Sequence, residues 1–320
     1  MSSYARTIGG LLVVIAALAL TASAGGREVV EKTFDAAESI RVNTVSGDCI
    51  IKQGDDDKIH VYLVYSYSPR GSFEPEFEER SRVLRLSENH YESNSGSSVW
   101  TITVPAETQV RFSTASGDFE ASGLAADISV ETASGDIRIE DCTGEFDLET
   151  ASGDITTDEC RGEFDLNTAS GDITFTHCEG ESQLNAASGD IEIEECRGGF
   201  DAQVASGDIL AVGITLTDRS DFGTASGDVE VQLAASAEYD LVVSTTSGSA
   251  MIDFNGNPVK GQFEFTARLR RGRIVAPFDF DSEEEFERWG QDYVRKSFTR
   301  GGDSPFIAIE TASGRAVLKE

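Results

Sequence analysis

Residues 152–169 read SGDITTDECRGEFDLNTA, and the eighteen-residue blocks on either side read nearly the same. The motif serine falls at Ser46, Ser116, Ser134, Ser152, Ser170, Ser188, Ser206, Ser226, Ser247 and Ser313, spaced by eighteen from Ser116 to Ser206. A fixed period of this length marks a repeat architecture in which each block is one supersecondary unit. Inside the block, Ile155, Phe164 and Leu166 are flanked by polar residues, and Thr168 continues the alternation. Period two reads as two short strands, each burying one face.

Columns drawn through the blocks strengthen that reading. The residue after the motif aspartate is Phe119, Ile137, Ile155, Ile173, Ile191, Ile209 and Val229 in turn. The second strand stacks Ile128, Phe146, Phe164 and Phe200, with Ser182 the exception. Two residues on come Val130, Leu148, Leu166, Leu184 and Ala202. Two strands and two turns cannot bury a face alone, but stacking each unit on the next at roughly 4.8 Å does so. The fold is therefore all-β, a parallel β-solenoid of eighteen-residue coils. About eight coils would make a rod roughly 40 Å long. The uneven placement of apolar residues favours a flattened two-sided coil over three sides of six.

Ser-Gly-Asp is the corner of each coil. Glycine permits positive φ, and serine and aspartate side chains accept bonds from amides that a turn leaves unpaired. The chemical alternative is a cation ladder of Asp118, Asp136, Asp154, Asp172, Asp190, Asp208 and Asp228. Carboxylates about 5 Å apart repel by about 1 kcal/mol in water and about 3 kcal/mol at an effective dielectric of 20. Solvent, amide hydrogen bonds or a hard cation such as calcium must relieve this. Calcium is the one candidate cofactor, although a calcium β-roll carries Gly-Gly-x-Gly-x-Asp at both corners and the second corner here reads CTGEF or CRGEF.

Cys142, Cys160, Cys178 and Cys196 form a second column, with Leu124 one unit earlier and Ile214 one unit later. Stacked coils bring such cysteines within the roughly 4.4–6.8 Å that bridging needs. An apolar column points inward, so buried free thiols are the first reading and vertical disulfides the second. Four ligands in a straight row cannot surround one zinc ion tetrahedrally. Cys49 stands on another column and reads as core. His60, His90 and His177 are scattered, with no nucleophile placed beside them, so no catalytic residue is assigned and the chain is read as non-enzymatic. The acidic rows, Glu145 and Glu163 at the corner and Asp147, Asp165 and Asp201 on the second strand, read as a solvated face that blunts strand edges. A polysaccharide-active β-helix enzyme is the third reading and needs a cleft with convergent carboxylates.

The chain carries 57 acidic and 26 basic residues, a formal charge of -31. Such a surface repels phosphate backbones and anionic headgroups, disfavours unaided nucleic-acid or membrane binding and favours cations or basic partners. Residues 1–24 have the layout of a signal peptide: Arg6, the apolar run GGLLVVIAALAL and the small residues Ala22-Ser23-Ala24. The run is shorter than the roughly 20 residues that span a bilayer, and an uncleaved amino-terminal anchor is the rival reading. Export to the periplasm, cell surface or medium follows, with no integral membrane segment after cleavage.

Both tips of a solenoid need caps. Residues 25–111 are expected to start the stack with irregular coils, 112–251 to form the regular solenoid and 252–320 the carboxyl-terminal cap. In that cap DSEEEFERWGQDYVRKSF predicts a helix over 282–298, with Ser282 and Glu285 as a capping box and acids at its start. Phe286, Trp289 and Tyr293 share its apolar stripe and form the candidate partner surface. RLRRGR, just before it, is the only basic cluster. PFIAIETASGRAVLKE then returns as a final coil, so the helix is an insertion ahead of it.

The opening ESIRVNTVSGDCII, the TASGDI units, RLRRGR and the closing PFIAIETASGRAVL resemble the bacterial β-strand-repeat family of "putative adhesins". The resemblance covers nearly all of the chain after residue 24, the segment 282–298 excepted. It implies a right-handed β-solenoid outside the cytoplasm. It carries no catalytic or binding residues across. The resulting expectation is an exported scaffold or adhesion module of the cell envelope whose partner is an envelope protein or glycan.

Overall fold

The computed structural model describes residues 26–91 and 95–320, so the expected signal peptide at 1–24 lies outside the described residues. Every element is a strand, and no helix occurs among the described residues. Each regular coil runs from its Ser-Gly-Asp corner into a short strand such as Ile155–Asp158, turns, and returns through a longer one such as Arg161–Thr168. The short strands stack as a first parallel sheet and the longer ones as a second. Ile137, Ile155, Ile173, Ile191 and Ile209 are in-register partners on successive strands of the first sheet. The coil is two-sided, and its core is the slab of columns between the sheets.

Ser182 keeps its place in the phenylalanine column, paired with Phe164 on one side and Phe200 on the other. Its coil compensates from the opposite sheet. The first-sheet column reads Ile139, Thr157, Phe175, Ile193, so the coil with the small Ser182 carries Phe175, and the coil with Phe164 carries Thr157. Phe175 is fully buried and meets Phe164 edge-on at 4.8 Å. Volume is conserved by exchanging sides, as close packing demands.

The two long insertions build the two ends. The strands Ser39–Asn43 and Asp48–Gln53, which flank the first motif copy, pair directly with Gln109–Thr114 and Phe119–Ser122. Val83–His90 and Ser95–Val104 stack below them, and three antiparallel strands close that end: Glu28–Asp35, Lys58–Ser68 and Phe73–Arg80. At the other end, Phe306–Lys319 bends through both sheets and pairs with Leu241–Ser247 and Ala250–Asp253. Gly261–Arg268 and Gly272–Val275 then stack above it. The last coil of the chain is thus not the last coil of the stack. Among the described residues twelve levels carry parallel strands in both sheets, about 55 Å at about 4.8 Å each, because the insertions join the rod.

The expected helix over 282–298 is a β-hairpin, Ser282–Arg288 with Gln291–Arg300. Trp289 and Gly290 form its two-residue turn, with φ of 53° and 71°, the left-handed pair that a type I′ turn requires. Both structures satisfy the same pattern. Phe286 and Tyr293, one helical stripe apart, are also direct cross-strand partners with rings 5.8 Å apart. The acids at the start and bases at the end face one another across the hairpin, with Lys296 Nζ 2.9 Å from Glu283. Ser282 caps nothing; its hydroxyl bonds to that of Ser297 at 2.7 Å. The Ser282–Arg288 and Phe73–Arg80 strands are the outermost of the second sheet at its two ends. Both are glutamate-rich, which discourages pairing with another chain.

Candidate functional site

The seven corner aspartates stand in one column, and each carboxylate has a backbone partner. Asp136, Asp154, Asp172 and Asp190 each donate their backbone N–H to Oδ1 of the aspartate one coil below, at 2.8–3.0 Å. The series starts with Asp118 N–H on Asp48 Oδ1 and ends with Ser249 N–H on Asp228 Oδ1. Amide hydrogen bonds therefore relieve the row. No group of three or more metal-ligating side chains occurs among the described residues.

The motif threonine completes the corner. Gly153 donates its N–H to Thr150 Oγ1 at 3.0 Å, and the Thr150 hydroxyl donates to the Gly135 carbonyl at 3.2 Å. Glycine is required there by close approach rather than by positive φ. A Cβ on Gly153 would lie 1.9 Å from the Gly135 carbonyl oxygen. From Gly207 upward the corner changes, although the Thr224 and Thr245 hydroxyls still donate to the carbonyls of Gly207 and Gly227. Gly207, Gly227 and Gly248 take φ of 146–157° and donate instead to the carbonyls of Ser226, Ser247 and Ser313.

All five cysteines are free and buried. Burial pushes the Cys142 thiol up to about 11. A hydrogen bond with Cys178, together with burial, pushes Cys160 up. Cys196 is shifted down by its hydrogen bond from Cys178, against its burial. Just before the cysteines, Asp141, Glu159, His177 and Glu195 all adopt φ near 50°. His177 is 2.8 Å from Asp158 and 3.5 Å from Glu195, and the hydrogen bond to Asp158 holds its imidazole above the usual range.

Glu88 stands in no repeat column or motif. Its side chain is fully buried and accepts from Val45 N–H at 3.0 Å, Trp100 Nε1–H at 3.0 Å and the Ser98 hydroxyl. It ties the first Ser-Gly-Asp corner to the two strands stacked below it. His60 pairs with Asp56 and His90 with Glu88, so the three histidines do not converge.

The acidic rows line a groove of about 680 Å³ on the outer face of the second sheet. Glu145, Asp147, Glu163, Asp165 and Asp201 were legible as rows, and the fold adds Glu181, Asp218 and Asp221, with Arg219 the one cation in the lining. The longer coil between Ser206 and Ser226 brings Asp218 against Gly199, where an added Cβ would be 3.1 Å from that of Asp218. Burial, and the nearby Asp201 charge, hold Asp221 above the usual carboxylate range.

The three residues of the expected partner stripe separate. Tyr293 is buried, Phe286 is half-buried beneath the Arg295 guanidinium at 4.9 Å, and Trp289 is 82% exposed with Arg288 over its ring.

The family model described as Toastrack DUF4097 matches residues 29–267. Among solved structures the chain is similar to a "putative adhesin" from Parabacteroides merdae, at 12% identity over 73% of this chain and 90% of that one, with a TM-score of 0.42. A "putative adhesin" from Parabacteroides distasonis is similar at 14% identity over 92% and 97%, with a TM-score of 0.38. One from Bacteroides fragilis is similar at 13% identity over 91% and 96%, with a TM-score of 0.37. No curated protein matches the chain.

Proposed function

The chain belongs to the Toastrack DUF4097 family, and from that membership we propose that it acts as an exported, non-enzymatic solenoid of the bacterial envelope. It serves as a scaffold or adhesion module that takes a basic partner along its second sheet. The groove carries the reading: eight carboxylates and one arginine line it. Regular strand spacing repeats the charge about every 4.8 Å, a lattice that an extended lysine- or arginine-rich segment can follow. Such a field raises the association rate of cationic partners and selects against anionic ones. The leader-like residues 1–24 support export. The cation-ladder reading is less favoured, because the corner carboxylates already accept backbone amides.

The test compares binding of a fluorescent decalysine peptide to the wild type, to Glu163→Lys/Asp165→Lys in the groove, and to Glu192→Lys/Glu194→Lys on the opposite sheet. The groove variant should weaken binding at least about tenfold and the opposite-sheet variant less than about twofold. Equal effects would reduce the interaction to net charge and overturn the reading.

A further inference from the structure

The Ser-Gly-Asp edge of the rod changes sign at its carboxyl-terminal end. Eight aspartates, Asp48 and Asp118 to Asp228, stand along it, followed by Ser249. In the next coil the motif reads Ser-Gly-Arg, placing Arg315 in the aspartate column. One level above, Gly272 and Arg273 pair in register with Gly314 and Arg315. Two arginines thus stand side by side on neighbouring strands, both exposed, where like charges destabilise a sheet.

Arg270 and Arg271 occupy the turn that leads into Arg273, and both are exposed. Among the described residues, no ion pair or side-chain hydrogen bond engages Arg270, Arg271, Arg273 or Arg315, whereas Arg288, Arg295 and Lys296 at the same end each face a glutamate. RLRRGR therefore does not neutralise the acidic rod. Asp228, the nearest rung of the ladder, is two levels below Arg315, about 10 Å at strand spacing and beyond the Debye length of about 8 Å in physiological salt.

The apolar surroundings are equally specific. Val275 pairs with Val317, and Val317 with Met251, beside the arginines on the outer face of the first sheet. Val275 is 37% exposed. The Leu269 N–H donates to the Asp292 carbonyl at 2.9 Å, which brings the Trp289 turn to the same edge. An exposed tryptophan, unpaired arginines and accessible valines on one corner combine the two chemistries of an interfacial anchor: an aromatic at headgroup depth and cations that meet lipid phosphates.

We infer that this corner docks the tip of the rod on an anionic lipid surface. The inference is independent of the groove, which lies on the other sheet and has the opposite charge. A soluble polyanion would use the arginines but leave Trp289, Val275 and Val317 without a role. The net charge of -31 opposes membrane binding for the molecule as a whole; segregation of charge along the rod permits it at one end.

The chain's two tryptophans are Trp100, fully buried, and Trp289. Emission changes on binding therefore report the tip, whatever the amino-terminal segment does. The full-length chain is titrated with vesicles of phosphatidylcholine and phosphatidylglycerol, and with pure phosphatidylcholine, each with and without brominated acyl chains. The expected result is a blue shift and bromine quenching on the anionic vesicles only, reversed by added salt. In Arg273→Glu/Arg315→Glu the apparent partition coefficient should fall at least about tenfold, with an unchanged emission spectrum in buffer as the folding control. Arg270→Gln/Arg271→Gln should weaken partition in the same direction. Four results would overturn the inference: no shift on anionic vesicles, an equal shift on neutral ones, a shift with inorganic polyphosphate but no bromine quenching on vesicles, or a concentration-dependent shift without lipid, which would indicate a second copy of the chain.

Discussion

Replacing Phe175 by threonine should be far less costly when Ser182 is replaced by phenylalanine in the same protein than when it is done alone. Phe175 is fully buried and packs edge-on against Phe164. Phe175→Thr therefore removes a buried ring and leaves a void, at about 3–5 kcal/mol. Ser182 is 5% exposed, and its hydroxyl has no hydrogen-bond partner. Ser182→Phe removes that unsatisfied group, a gain of about 1–3 kcal/mol, but forces a second ring against Phe175, a cost of about 1–3 kcal/mol or more. The double variant recreates the arrangement one coil earlier, Thr157 with Phe164, and should lie within about 1 kcal/mol of the wild type. A cycle of the four proteins, read as urea midpoints and slopes by far-UV circular dichroism, should give a coupling of at least about 2 kcal/mol favouring the pair. Additive single effects, within about 0.5 kcal/mol, would show that the two side chains do not share one space and would refute the compensation.

Gly153→Ala should destabilise the rod by about 3 kcal/mol or more, since its Cβ meets backbone 1.9 Å away. Gly256→Ala, in open space at φ +77°, should cost only about 1–2 kcal/mol; melting of both variants checks the contrast. None of the five cysteines should react with a thiol reagent at pH 8 within minutes in the native state, and all five should react in denaturant; a fast native thiol, at Cys196 above all, would contradict the buried column. His177 links Asp158 and Glu195 across coils, and its folded pKa is raised. Its contribution to stability is full below the ordinary imidazole value and is lost as pH rises through the raised one. Melting temperature should therefore fall between about pH 6 and 8 in the wild type and show less of that fall in His177→Gln.

The cap containing residues 282–298 shows why local pattern misleads at the ends. Phe286 and Tyr293 are seven apart, so a helix aligns them as one stripe and a two-residue hairpin pairs them across it. The acid-to-base gradient fits a helix dipole and a cross-strand ion pair equally. Gly261–Arg268 decides between them, because its strand edge needs a partner and Gln291–Arg300 supplies one. Glu88 gave no signal for a related reason: its donors lie up to 43 positions away, in strands whose neighbours no period specifies.

By itself the sequence determined the two-stranded coil, its in-register columns, the inward cysteines and the row of corner aspartates. In a stack, each residue's neighbours are its own counterparts one period away, so repetition along the chain is contact in space. The tertiary structure alone decided which strands cap the ends, that amides hold the corner carboxylates, that Phe175 fills the room beside Ser182, and that the arginines of 270–273 meet Arg315 at one edge. The caps and the arginine edge join segments that share no period, while the corner bonds and the Phe175–Ser182 exchange depend on side-chain geometry that repetition leaves open.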